Sequence, residues 1–269
     1  MFTDELMLGN PVAVVHDADG LSTEQMAAFA RWTNLSETTF LLPPTDASAD
    51  YRLRIFTPVR ELPFAGHPTL GTARAWLEAG GIPARGAELV QECAAGLVRV
   101  RRDGLRLAFA APPVLRDGPV DDAELEEVLR ALRLDAGDVL AARWADNGPG
   151  WVALLLSDAD TVLRLEPDRS AFGALDKVGV VGAYPAGSDI AFEVRAFVPG
   201  VGLGEDPVTG SLNASIAQWL IPAGLAPERY TAAQGTRLGR RGRIHVERLG
   251  TDIWVGGDTV LGVSGTVAL

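Results

Sequence analysis

One pattern occurs twice in this chain, and it constrains the fold more than any other feature. Residues 52–58 read RLRIFTP and residues 193–199 read EVRAFVP, so Arg54, Phe56 and Pro58 return as Arg195, Phe197 and Pro199, 141 residues later. Carried outward, the offset sets the strand-like VAVV of 12–15 within one residue of the apolar VALL of 152–155, and TTFLL of 38–42 near GVVGA of 179–183. Each half then reads strand, helix, strand, strand, a glycine-containing turn, helix, strand, with period-two alternation in segments such as LVRV and RIHV. A chain that repeats its order of elements encodes one supersecondary unit twice. The expected fold class is therefore α+β, built as two similar domains, and 269 residues suffice for two cores of ordinary size. The expected division is 1–117 and 118–269. The linker is expected in PPVLRDGPVDD, 112–122, leading into an amphipathic helix from about Ala123 to Leu134.

The charge balance narrows the function classes. A formal net charge of −11 argues against binding a phosphate backbone, which needs a concentrated cationic face. Nucleic acid is not an expected partner. No apolar run approaches the ~20 residues that span a bilayer, and MFTDELMLGN lacks a basic start followed by an apolar stretch, so a cytoplasmic setting and no membrane partner are expected. The single cysteine, Cys93, excludes an intrachain disulfide and a Cys-rich metal site. It lies in VQECAAG, at what reads as the start of a strand, as a small buried apolar residue. Neither a metal nor a cofactor is expected: no HExxH spacing occurs, and VPGVGLGED lacks the dinucleotide fingerprint. His16 and His245 read as surface residues, and the RLGRRGR cluster of 237–243 as a solvated loop.

The two glycine-containing turns hold equivalent places in the two copies. In the first, FAGHPTLG, Gly66, His67 and Pro68 precede a helix that Gly80 ends, with Pro68 suited to the first helical position. In the second, Asp206-Pro207-Val208-Thr209-Gly210-Ser211 precedes LNASIAQWL, again apolar at helical spacing. Each turn delivers unpaired backbone N–H groups and a helix N-terminus, which together favour an anion, most naturally a carboxylate. The plainer reading is that His67 and Ser211 merely cap their helices; serine is a preferred cap, histidine a poorer one.

At this point the sequence resembles a known family. GNPVAVV at 9–15, SETTFLL at 36–42, FTPVRELPFAGHPTLGTA at 56–73, EDPVTGS at 205–211 and QGTRLGRRGRIHV at 234–246 are together similar to the PhzF-like family of phenazine-biosynthesis isomerases. The resemblance runs through nearly the whole chain. It implies a diaminopimelate-epimerase-like fold, in which each of two domains wraps a sheet around a central helix and the active site lies in the cleft between them. It further implies a homodimer and cofactor-free proton transfer, with the catalytic glutamate at Glu37 and supporting polar residues at His67, Asp206 and Ser211. Gly66, Pro68, Thr209, Gly210 and Ser211 are the expected substrate contacts. Where the phenazine enzyme carries Ser-Ala-His, Ser211 is followed here by Leu212 and Asn213, so a different small substrate is expected.

Residue chemistry bears on the same reading. Moving a hydrogen along a carbon skeleton without a redox cofactor needs a base that takes a proton and a group that returns it. Glu37 stands immediately before an apolar strand, where partial burial can raise a carboxyl pKa towards neutrality. The offset of 141 places Val178 at the equivalent point of the second copy, so the fold does not itself require an acid there. His67 can donate to a developing enolate or a substrate amine, and Asp206 can orient His67 or bind a cationic group. Epimerases of this fold resemble one another in using two cysteines as acid and base; one cysteine rules that mechanism out within a single chain. The expected function is a PhzF-like isomerase acting by general acid/base chemistry on a small carboxylated metabolite, and the alternative is a non-catalytic metabolite-binding protein with the same cleft.

Overall fold

The structure is a computed structural model that describes residues 1–269 apart from 173, 174, 176 and 200–203. The chain divides into two compact units, Met1–Ala110 with Gly256–Leu269, and Ala111–Val255. This division differs in two places from the contiguous one read from the sequence. It begins the second unit a few residues earlier, and it returns the end of the chain to the first.

In the first unit the elements are β1 (Ala13–Val15), α1 (Thr23–Thr33), β2 (Thr38–Leu42), β3 (Tyr51–Phe56), β4 (Glu61–Leu62), α2 (Gly66–Glu78), β5 (Glu88–Cys93), β6 (Gly96–Asp103) and β7 (Arg106–Ala110). The second unit contains β8 (Arg116–Pro119), α3 (Asp122–Leu132), β9 (Val139–Asp146), β10 (Val152–Leu156), α4 (Ala159–Arg164), β11 (Val178–Ala183), β12 (Phe192–Val198), β13 (Gly204–Asp206), α5 (Gly210–Leu220), β14 (Arg229–Gln234), β15 (Gly242–Leu249) and the start of β16 (Asp252–Asp258).

Strand pairing reproduces the repeat. In the first unit β1 runs parallel to β2, β2 antiparallel to β3, β3 parallel to β5 and β5 antiparallel to β6. In the second, β10, β11, β12, β14 and β15 pair in the same senses and the same order. The short strands β4 and β13 fold back on β3 and β12, with Glu61 opposite Phe56 and Glu205 opposite Phe197. Pairing also refines the alignment of the copies. Thr38 stands opposite Phe56 as Val178 stands opposite Phe197, so the counterpart of Glu37 is Lys177, one place before Val178.

Each unit encloses one helix. The first eight residues of α2 are buried, and α2 packs on β1, β2, β5 and β7. Every residue of α5 except Gln218 is buried, against β9 and β15 among others. A helix apolar on all sides belongs inside a sheet layer, which is where LNASIAQWL places α5. The amphipathic α1 and α3 lie outside these centres and carry ordinary caps, a Ser22–Gln25 capping box and Asp121 respectively.

Three local expectations are corrected. Pro68 is the third helical residue rather than the first, because Ala65 is the N-cap and Gly66 the first residue of α2; a missing N–H is still harmless in that turn. The Pro- and Asp-rich stretch 112–122 is not only a linker, since Arg116–Pro119 forms β8 against β9. Cys93 ends β5 rather than starting a strand.

Candidate active site

The first unit brings Glu37 and His67 together. Glu37 immediately precedes β2 and is 16% exposed, while His67, second residue of α2, is 4% exposed; Glu37 Oε2 lies 3.2 Å from His67 Nε2. Burial pushes the His67 pKa down to about 3, so the ring is neutral at physiological pH. The contact is therefore one of proximity rather than an ion pair or a hydrogen bond. On the other side of the ring, Nδ1 lies 3.3 Å from Asn10 Nδ2. His67 does not cap its helix, whose N-cap Ala65 offers no side chain for the purpose.

Behind this pair a polar seam fixes α2 to the sheet. The Thr39 and Thr72 hydroxyls are 2.8 Å apart, and Gln91 Nε2 donates to Thr69 Oγ1 at 3.0 Å, all buried. The first helical hydrogen bond runs from the Thr69 amide to the Ala65 carbonyl at 3.2 Å, so the Gly66 and His67 amides have no intrahelical acceptor. That is the donor arrangement expected of an anion site.

The second unit presents the matching turn with different chemistry. Thr209 is the N-cap of α5, and its hydroxyl donates to Asp206 Oδ2 at 2.5 Å instead of capping. The turn is held by one buried side chain. Gln234 Oε1 accepts from the Thr209 amide and from Asn213 Nδ2, each at 2.9 Å, and Gln234 Nε2 donates to Thr209 Oγ1 at 2.9 Å and to the Asp206 carbonyl at 3.1 Å. The amide of Gln234 thus has two donated and two accepted bonds, its full complement. Asn213 is committed to the same network. Next to it, Gly235 has φ +87° and lies so near the Pro207 carbonyl that a Cβ would sit 2.6 Å from that oxygen, a place only glycine fills.

Ser211, second residue of α5, is not a cap either. Its Oγ accepts from Trp151 Nε1 at 3.1 Å, which leaves the hydroxyl hydrogen to point elsewhere as a donor. Asn147 Nδ2 donates to the Ser211 carbonyl at 3.2 Å. Both residues belong to the loop 146–151, where Asp146 Oδ1 accepts from the Gly148 and Gly150 amides at 2.7 and 2.6 Å.

The expected residues Gly66, His67, Pro68 and Glu37 therefore cluster in the first unit, and Asp206, Thr209, Gly210 and Ser211 in the second. Asn10, Gln234, Asn147 and Trp151 are additions. Asn10 and Gln234 stand inside the quoted motifs GNPVAVV and QGTRLGRRGRIHV, and the turn residues of DNGPGW mark the loop of the other two. His16 is exposed and His245 half-buried, its Nδ1 3.0 Å from Thr231 Oγ1. Cys93 is buried, and burial pushes its thiol pKa up, away from a reactive thiolate. In the basic cluster Arg237 pairs with Glu166 at the surface. Among the described residues no group of three His, Cys, Asp or Glu side chains is disposed to hold a metal ion, and no helix is long and apolar enough to cross a membrane.

Comparison with known proteins bears on the family and the fold. The family model described as phenazine biosynthesis-like protein, PhzC-PhzF, matches residues 1–265. The chain belongs to the PhzC-PhzF family. Within the family it is 36% identical to the trans-2,3-dihydro-3-hydroxyanthranilate isomerase of Pseudomonas aeruginosa over 261 residues, covering 93% of this chain and 88% of that protein. It is 37% identical to antisense-enhancing sequence 1 of Schizosaccharomyces pombe over 254 residues, covering 90% and 86%. The crystal structure of a PhzF-family phenazine biosynthesis protein from Enterococcus faecalis matches with a TM-score of 0.77 at 27% identity, covering 96% of this chain and 92% of that one. The α+β fold class expected from the sequence is that of the PhzF structures, and the expected enzyme class, isomerase, is the one the relatives' names carry.

Proposed function

We propose that this PhzF-family chain is a cofactor-independent isomerase that relocates a proton on a small carboxylated metabolite. Glu37 takes the proton: the substrate C–H bond breaks, its electron pair enters the carbon framework, and the same carboxyl returns the proton to another carbon as the double bond moves. His67 steadies Glu37 through Nε2. The N-terminus of α2 supports binding of the substrate carboxylate, and Asp206, Thr209, Gly210 and Ser211 are further proposed substrate contacts, carried by the second unit. The observation that carries this reading is the 3.2 Å contact between Glu37 Oε2 and a buried, neutral His67 at the start of a buried helix. Burial that disfavours the charged imidazole makes His67 a weak base, which favours Glu37 as the group that takes the proton.

The test is carbon-bound exchange in D₂O, followed by NMR across cyclic and open-chain amino and hydroxy acids, beginning with trans-2,3-dihydro-3-hydroxyanthranilate. Glu37→Gln keeps shape but accepts no proton. It is expected to lower the rate by about 10²- to 10⁴-fold while substrate affinity moves a few fold, with Cys93→Ala unchanged. A Glu37→Gln protein that exchanges substrate at the parental rate overturns the assignment. Binding without exchange in the parent identifies a metabolite-binding protein instead.

A further inference from the structure

We propose that Asn10 is a positioning residue that sets the tautomer of His67, holding the ring proton on Nε2 and so keeping the transferred proton on Glu37. The inference rests on Glu37 being the proton carrier for its second half; its first half stands on the geometry alone.

Asn10 is fully buried, and its backbone amide donates to the Met1 carbonyl at 3.1 Å. Its side-chain nitrogen lies 3.3 Å from His67 Nδ1. A carboxamide NH₂ only donates, so the ring nitrogen it meets must present a lone pair. The neutral ring has one proton to place, and with Nδ1 accepting, that proton sits on Nε2, 3.2 Å from Glu37 Oε2. The Pro11 carbonyl is also within hydrogen-bonding reach of the imidazole, and a carbonyl only accepts. Two adjacent residues, Asn10 and Pro11, therefore offer the ring a donor and an acceptor, and the donor is the one that meets Nδ1.

The consequence is directional. With Nε2 protonated, His67 has no lone pair on the nitrogen nearest Glu37 with which to draw the proton off after Glu37 has taken it from carbon. The proton remains on the carboxyl until it returns to the substrate. With the other tautomer, Nε2 would accept from protonated Glu37 and open a route for its loss.

The chain has three histidines, so a long-range ¹H–¹⁵N correlation of uniformly ¹⁵N-labelled protein resolves the ring, with His67→Gln assigning its signals. In the parent protein at neutral pH, Nε2 is expected to be pyrrole-like and Nδ1 pyridine-like. The reverse pattern overturns the proposal without any variant. Asn10→Asp, an isosteric acceptor, is expected to invert the pattern, and Asn10→Leu, which removes the donor, to populate the Nδ1–H form, while the His16 and His245 signals stay put. Retention of the parental tautomer in either folded variant removes Asn10 as the determinant. With a substrate in hand, Asn10→Asp should lower kcat by roughly tenfold or more with KM nearly unchanged, as expected when a catalytic imidazole is held in the wrong tautomer. Inversion with undiminished kcat would overturn the link to proton retention. The tautomer is read without substrate, so failure of the Glu37 assignment leaves that result intact and distinguishable.

Discussion

Arg54 in the first unit and Arg195 in the second make the same contacts in different surroundings. Arg54 Nε and Nη2 each donate to Glu61 at 2.8 Å, and the guanidinium stands 5.0 Å from the centre of the Phe56 ring. Arg195 does the same to Glu205, at 2.9 and 2.8 Å, 4.9 Å from Phe197. Residues two apart on a strand share a face, which is why the repeated Arg-x-Phe brings cation and ring together. The first pair is 26% and 35% exposed and the second 5% and 6%, with Arg195 Nη1 also donating to the Val162 and Leu165 carbonyls. Against this shared scaffold the proposed catalytic positions diverge. Glu37 corresponds to Lys177 in the repeat, His67 corresponds to Ser211, and Asp206, paired with Ala196, takes the place that Leu62, paired with Ile55, holds in the first unit. What the copies share builds the fold, and where they differ is where chemistry is proposed.

The sharpest way to break that comparison is to remove each arginine. Arg195→Met strands a buried carboxylate and two carbonyls, so a loss of about 3–5 kcal/mol is expected, whereas Arg54→Met should cost about 0–1 kcal/mol because water solvates what remains. Urea denaturation of the two variants measures the gap. Equal losses would mean that burial does not distinguish the two copies.

Next in size is the asymmetry between His67 and Ser211. The unfolded histidine titrates near 6.5 and the folded one near 3, so between those values the unfolded chain binds a proton that the folded chain refuses. Stability from this source is complete above about pH 6.5 and is lost as pH falls towards 3, by an amount on the order of a few kcal/mol. His67→Gln, which does not titrate, should show a shallower fall in Tm between pH 6.5 and 4 than the parent. Parallel Tm curves would place the acid sensitivity elsewhere.

The smallest effect concerns the second turn. Trp151→Phe removes the indole donor to Ser211 and keeps the ring, so substrate or anion affinity should weaken by a few fold, about 1 kcal/mol, with little change in rate. Calorimetric titration reads it directly, and unchanged affinity would show that the Ser211 hydroxyl needs no help in pointing.

Much of this was legible in the sequence, for physical reasons that vary by residue. The repeat was readable because Arg54, Phe56 and their copies carry the same interlocking contact in both units. Glu37 was readable only with the family resemblance, since an acid at a strand start is otherwise commonplace. Asn10 and Gln234 lay inside recognised motifs, but their roles are three-dimensional: each acts on a residue distant in the chain, His67 or Asp206 and Thr209. The exact counterpart of Glu37 required strand register, because the offset slips by one residue between β2 and β3. Burial of the second arginine pair is marked only faintly in composition, since RLRIFTP has three apolar residues besides proline and EVRAFVP four.

Strand β16 also governs the order in which the chain can finish folding. Its last residues belong to the first unit: Gly256 approaches β7 so closely that a Cβ would lie 2.4 Å from the Leu107 carbonyl, the Asp258 carbonyl accepts from the Thr3 amide at 3.0 Å, and the Asp258 carboxylate meets Arg106 at 3.3 Å. A ribosome completes all of the second unit before it reaches these residues, roughly seven to thirty seconds at ordinary elongation rates. Through that interval the nascent first unit has its Glu37, its His67 and its central helix, but one flank of β7 waits uncovered. The unit made first is thus the one completed last, and its exposed strand is the place where a chaperone or an aggregating neighbour would find this protein during synthesis.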